Sequence, residues 1–234
     1  MSQSLAGQVY EIIKKDIITC TFKPGQQIAQ QQLADRYSVG VTPVREALQK
    51  LTREGLIQPI PRFGYLVTPI TVADVAEVFE LRTILETAAA RLAALRATPE
   101  QLEHLSELAS STYIFKVRDS YSDFLVHNRE FHVAVALASG NRRLVASVAQ
   151  VMDEMTRMFH LGLDVKDSAG EMRDEHQELV EMLRRKDSVR AEQVVLAQIL
   201  RSQGRIFEAL RPGSERPATE GLVQAIQFSP NELR

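Results

Sequence analysis

The 234-residue sequence holds a single cysteine, Cys20, so no disulfide can close within the chain and a reducing compartment suits it. Cys20 lies near the end of the first expected helix, where a small buried or half-buried side chain without chemistry is expected. No apolar run approaches the ~18 residues that cross a bilayer, which excludes a membrane-spanning helix. The opening stretch MSQSLAGQVYEIIKK lacks the uninterrupted apolar core of a secretory leader, so a cytoplasmic protein is expected. Also absent are a nucleophile paired with a base, a phosphate-binding glycine loop and a complete metal triad, which leaves an enzyme little to work with.

What is present is ordinary in bulk and uneven in distribution. Hydrophobic residues make up 44% and charged residues 25%, normal for a globular protein, and the length allows two modest domains. Residues 1–70 carry 8 Lys and Arg against 5 Asp and Glu, while the rest carries 20 against 25. A mildly basic head on an acidic body suits a nucleic-acid reader joined to something else.

The stretch from Gln30 to Arg62 organises the head. A short amphipathic segment with Leu33, Ala34 and Tyr37 on one face runs into the turn Ser38-Val39-Gly40. Thr42 is placed to act as N-cap and Pro43 to sit at N1. Val44, Ala47, Leu48 and Leu51 then fall at i, i+3, i+4 and i+7, one stripe against a core. The opposite face, with Arg45, Gln49, Lys50 and Arg53, has the polarity of a helix that lies in the major groove. Gly55 stops this helix. Leu56–Ile60 and Gly64–Thr68 read as two strands with Pro61-Arg62-Phe63-Gly64 at their tip. Before this unit, residues 5–19 form a helix with Val9, Ile12, Ile13 and Ile17 on its buried side. The pattern is that of a winged helix-turn-helix with a small β-wing.

Pro24-Gly25, Leu33-Ala34, TPVREAL (Thr42–Leu48), Leu51 and Glu54-Gly55-Leu56 together resemble the DNA-binding domain of GntR-type bacterial transcription regulators. The resemblance implies that Val41, Thr42, Arg45, Gln49, Lys50 and Arg53 face DNA, with Arg62 and Gly64 as the wing contact. The family usually carries Ser-Arg before the Thr-Pro, where this chain has Gly40 and Val41. Its arginine there reads guanine, so Val41 implies a different operator, one substitute being an apolar contact with a thymine methyl.

Thr68-Pro69-Ile70 marks a boundary near residue 70. From Thr71 to Arg211 the chain reads as six helices joined by short loops, an all-α bundle. Thr71 with Asp74 opens the first, which reaches about Arg96. Thr98 caps the second, with Pro99 at N1, as far as about Tyr113. The others cover about Asp119–Ser139, Arg142–Leu161, Ala169–Arg185 and Ser188–Arg211. Residues 212–234, with Pro212, Gly213, Pro217, Gly221 and Pro230, are expected to be a flexible tail in which Leu222–Phe228 could dock. The fold class is therefore mainly α, as a head (1–70), a helical effector-binding and dimerisation domain (71–211) and a tail.

Polar residues interrupt the apolar stripes of the bundle. Asn128 and His132 lie one turn apart beside Phe124, Phe131 and Val135. His176 sits among Leu179, Val180 and Leu183, and Gln198 follows Val194 and Val195. In an antiparallel hairpin turning near Asp187, His176 and Gln198 come level, so two imidazoles and two amides can converge in a pocket. Arg82 breaks another stripe, either as an intrahelical pair with Glu86 or as an anion clamp. His104, His127 and His160 are taken as surface or packing residues.

FELRTILETAAARLAA (Phe79–Ala94), NREFHVAVALASGN (Asn128–Asn141) and DEHQELVEMLRRKD (Asp174–Asp187) resemble the ligand-binding domain of FadR-like GntR regulators, the FCD type. Many such proteins hold a divalent metal with one Asp and three His. Carried over by position, the Asp falls on Asn128, the first His on His132, the second on His176 and the third on Gln198. Amide oxygens are poor ligands for Zn or Ni. Two options follow: a weak metal site on His132 and His176 helped by Asn128 and Gln198, or direct ligand binding through Arg82, Asn128, His132, His176 and Gln198, which is preferred.

The resulting expectation is a homodimer that binds a pseudo-palindromic double-stranded operator and responds to a small metabolite, an organic acid by preference. The alternatives are a helical metal-dependent enzyme fused to a DNA-binding domain and a regulator whose pocket is vestigial. Arg45→Ala should weaken binding to all DNA sequences and lower the slope of log affinity against log salt by about one. Unchanged affinity and slope in a salt titration would remove Arg45 from the interface.

Overall fold

The computed structural model describes residues 4–211, so the tail and its Leu222–Phe228 segment lie outside the described residues. Among the described residues the chain forms two hydrophobic cores. The first is built by α1 (Leu5–Ile18), β1 (Gln27–Ile28), α2 (Gln30–Arg36), α3 (Val41–Arg53), β2 (Ile57–Ile60) and β3 (Gly64–Val67). Its interior is Val9, Ile13, Ile17, Leu33, Val44, Leu48, Leu51, Ile57 and Val67. The three strands are antiparallel in the order β1-β3-β2, with Ile57 opposite Val67 and Ile60 opposite Gly64.

Three details of this unit differ from the sequence reading. Helix α3 begins at Val41 with Gly40 as N-cap, and no side chain caps it. Thr42 is therefore not the cap, and Pro43 is the third helical residue. That position is still free of strain, because the amides of the first turn have no partner inside a helix. On α1 the buried face is Val9, Tyr10, Ile13 and Ile17, while Ile12 is 45% exposed. Tyr10 turns inward because its hydroxyl donates to Glu54 Oε1 at 2.7 Å, while Lys14 reaches Oε2 of the same carboxylate at 2.8 Å. The third difference is β1, two residues long and pairing Gln27 with Leu66 and Ile28 with Tyr65.

The second core is wholly helical: α4 (Val72–Arg96), α5 (Pro99–Leu108), α6 (Arg118–Ala138), α7 (Arg142–Glu154), α8 (Thr156–Leu163), α9 (Ala169–Arg184) and α10 (Ser188–Leu210). Thr71 caps α4 and Asp74 returns the hydrogen bond to the Thr71 amide, which satisfies two terminal donors. Thr98 and Gln101 do the same for α5, with Pro99 in its first turn. Helix α5 ends at Leu108, short of the expected Tyr113, whose ring instead packs against Tyr121 and Phe124. The expected fourth helix is two, broken at Met155. No proline or glycine marks the break, and Val151, Met152, Met155, Met158 and Phe159 stay buried on both sides of it.

The two units touch where the end of α1 meets α8. Cys20, at φ 56°, directs its thiol to the Arg157 carbonyl at 3.4 Å. The Arg157 guanidinium donates to the Thr68 carbonyl at 2.7 Å. Arg118 reaches the Cys20 carbonyl at 3.4 Å and pairs with Asp164. Burial pushes the Cys20 thiol up to about 11, which keeps it protonated and unreactive. Cys20 is thus a packing residue between the units.

Gly64 is required by the wing. Its φ is +98°, and a Cβ there would lie 2.5 Å from the Ile28 carbonyl oxygen. Gly64→Ala should destabilise the head by more than about 1 kcal/mol, through strain and separation of β1 from β3. Urea unfolding followed by circular dichroism measures this, and an unchanged midpoint would contradict it.

Candidate functional sites: a DNA-reading face and a buried polar cluster

Burial of Val44, Ala47, Leu48 and Leu51 leaves the other side of α3 to solvent. Thr42, Glu46, Gln49 and Arg53 follow at helical spacing along the outermost line, with Val41 and Arg45 on one flank, all exposed. Lys50 takes the other flank, with its ammonium 3.4 Å from the centre of the Tyr10 ring. Its side chain thus leans on α1 and does not stand out from the centre of the face. Glu46 is an addition to the residues expected from the sequence, although its spacing from Thr42 puts it on the same line. A carboxylate there can accept from the cytosine amino group. At the wing tip Arg62 is exposed with φ 69°, beside Gly64.

In the helical unit the interrupting residues meet. Arg82 Nε donates to Glu86 Oε1 at 2.6 Å, so the intrahelical pair exists, and both residues are buried. His132 Nδ1 lies 2.6 Å from Glu86 Oε2, and its Nε2 lies 3.4 Å from Arg82 Nη2. The tautomer with its proton on Nδ1 satisfies both contacts, donating to the carboxylate and accepting from the guanidinium. Burial alone would raise the Glu86 carboxyl. The Arg82 guanidinium and the His132 ring outweigh burial and hold the carboxyl at about 2. The His176 ring stacks on Phe131 with centres 4.1 Å apart and meets His132 edge-on at 5.4 Å. Burial, then the neighbouring His132 and Arg82, drive its basicity well below the ordinary histidine value, so the ring is neutral.

Gln198 Nε2 donates to the carbonyl of Glu175, next to His176, at 2.6 Å. Two polar atoms of this cluster are buried without a partner: Arg82 Nη1 and Gln198 Oε1. Asn128 lies one turn from His132 and lines a small cavity with Leu125, Phe159, Leu163, Ser202 and Arg205. The cavity volume is about 10 Å³, room for about one water molecule. Two members of this neighbourhood had a weak signal in the sequence. Glu86 was visible only as the i+4 neighbour of Arg82, and Arg205 lies seven residues after Gln198 on the same face of α10.

The residues do not fit a divalent metal. Asn128, His132, His176 and Gln198 supply no anionic donor, and the free His132 nitrogen already faces a guanidinium. Among the described residues no three His, Cys, Asp or Glu side chains come together as a metal site. A dication at this point would lie beside the Arg82 guanidinium, and the nearby Glu86 carboxylate is already engaged by Arg82 and His132.

Residues 5–67 match the family described as bacterial regulatory proteins, gntR family, and residues 77–201 match the FCD domain. The chain belongs to the GntR family, with an FCD domain as its second part. It is similar to the HTH-type transcriptional regulator YdhC of Bacillus subtilis, 30% identical over 209 residues, covering 89% of this chain and 93% of that one. It is also similar to the HTH-type transcriptional repressor RspR of Escherichia coli, 26% identical over 186 residues, 80% and 82% of the two chains. Among solved structures, E. coli McbR/YncC superposes with a TM-score of 0.60 at 22% identity over 90% of this chain and all of the other, a likeness of fold. This GntR-family chain is accordingly a DNA-binding transcription regulator with a ligand-binding domain. Among the described residues no helix is long and apolar enough to cross a membrane.

His160 on α8 is buried. Burial, aided by the Arg118 charge and opposed by Asp164, pushes its imidazole down to about 4 from 6.5. Between those values the unfolded chain binds a proton there that the folded chain does not, so stability falls as pH is lowered across the window. His160→Gln should therefore flatten the loss of stability between pH 6.5 and 4, measured by urea unfolding at a series of pH values. An unchanged slope would show that His160 does not contribute.

Proposed function

We propose that this regulator acts as a homodimer on a pseudo-palindromic operator, and that a small organic acid taken up without a metal shifts its affinity for DNA. The observation that carries the proposal is the pair of orphaned buried atoms, Arg82 Nη1 and Gln198 Oε1. An unpaired buried donor or acceptor costs roughly 1–3 kcal/mol, and a ligand carboxylate and hydroxyl would satisfy the two. Asn128, Ser202 and Arg205 line the adjoining cavity together with Phe159, whose ring centre lies 5.4 Å from Arg82 Cζ. The cavity volume is far below that of any metabolite, so the ligand must select an opened state of the bundle.

Helix α8 is the element such opening would move. Phe159 and Leu163 line the cavity, and Arg157 on the same helix holds Thr68 and Cys20 of the head. A shift of α8 would change the placement of α3 on DNA, a coupling of two sites through a shared element. Dimerisation through the helical domain is supported by apolar side chains that point away from the bundle on its two longest helices. These are Leu81, Ile84 and Leu95 on α4 and Val189, Leu196 and Leu200 on α10, all exposed in the single chain. Arg45, Gln49 and Arg53 would contact DNA from α3, with Val41 and Thr42 reading bases, Lys50 engaging phosphate after release from Tyr10, and Arg62 and Gly64 contacting DNA from the wing. The protein would work in the cytoplasm, and no turnover of the ligand is proposed.

The test is titration of carboxylates, sugar acids and acyl conjugates against the operator complex, with and without EDTA. One acid should change operator affinity by roughly 5- to 150-fold, equally with the chelator present. Loss of the effect in EDTA would restore the metal, and no response to any compound would favour a vestigial pocket.

A further inference from the structure

Phe63, at the tip of the β2–β3 hairpin, is 62% exposed. Its backbone is held: the Phe63 amide donates to the Ile60 carbonyl at 3.1 Å, and Gln27 Nε2 donates to the Phe63 carbonyl at 2.5 Å. Arg62 and Gly64 on either side take positive φ values of 69° and 98°, and Gly64 lies against the Ile28 backbone of β1. The tip is therefore a fixed turn that holds an aromatic ring in water. Its neighbours Pro61 and Arg62 are exposed as well. One ring beside a guanidinium is a poor core for a protein contact, which needs a larger dry patch. A groove walled by phosphates suits that pair.

The hairpin leaves α3 through Gly55, and each of its strands is four residues long. Four extended residues reach roughly 13 Å, about the ~12 Å width of the major groove. With α3 in the major groove, the tip passes the bordering phosphate ridge and arrives at the neighbouring minor groove. Apolar side chains that enter the minor groove act as wedges between base steps. We propose that Phe63 enters the minor groove flanking each half-site as such a wedge, with Arg62 against the phosphates. Phe63 then sets a preference for flanking A·T pairs, because the guanine amino group obstructs the groove floor, and for steps that unstack easily.

The experiment uses a duplex that the wild-type protein selects from a random library. Phe63→Ala should bind it more weakly by on the order of tenfold, the scale of one base–aromatic contact, with an unchanged salt slope because no charge is lost. Arg62→Ala should lower that slope by about one. Replacing flanking adenines with 2,6-diaminopurine adds an amino group to the minor groove and leaves the major groove as it was. That change should weaken the wild type and Phe63→Trp but not Phe63→Ala. Matching thermal unfolding curves for the wild type and Phe63→Ala would tie the loss to DNA contact. Unchanged affinity of Phe63→Ala, or equal sensitivity of it and the wild type to the added amino group, overturns the proposal.

Discussion

A guanidinium buried in a helical bundle must keep its anion close, and the helical unit of this protein is arranged around that requirement. Arg82 and Glu86 lie one turn apart on α4, both out of water. Their charges balance each other, and the second carboxylate oxygen fixes the His132 ring of α6. Removing Glu86 would leave a buried charge uncompensated, a far larger loss than the pair contributes when intact. The same arrangement accounts for the poor fit to a metal. The positive charge near His132 comes from the protein itself, and Asn128 and Gln198 stand where an anionic or imidazole ligand would otherwise have to be accommodated.

In the proposed binding mode, that fixed charge also defines what a ligand can do. Arg82 uses Nε and Nη2 within the protein and keeps Nη1 free, while Gln198 uses its amide hydrogen and keeps its oxygen free. The site is thus rigid on one side and unfinished on the other. Helix α8 borders this region and also carries the contacts to the head, through the Arg157 carbonyl and guanidinium. The break at Met155 separates α8 from α7, so the segment that links cavity and head is short and ends where the backbone turns.

Much of the architecture was legible because it follows from local rules. The stripe Val44, Ala47, Leu48, Leu51 is periodic, and the Thr71–Asp74 and Thr98–Gln101 boxes are written in adjacent residues. The features that were not legible have non-local causes. Tyr10 and not Ile12 faces inward because Glu54, forty-four residues away, accepts its hydroxyl. Strand β1 is two residues long, too short for any period, and exists because Gly64 lets its backbone approach. The end of α5 at Leu108 is set by Tyr113 packing on α6.

In the site, the sequence by itself determined which residues interrupt the apolar faces: Arg82, Asn128, His132, His176 and Gln198 are all buried, and helical spacing was enough to find them. It likewise determined the outward face of α3, since a helix with one apolar stripe has one polar side. Only the tertiary structure decided how those polar residues divide their hydrogen bonds. That division depends on distances between helices far apart in the chain, and it leaves one guanidinium nitrogen and one amide oxygen unpaired. It also turned Lys50 onto Tyr10 and set Phe63 out in water, because both positions are fixed by contacts from other elements and not by the residues beside them.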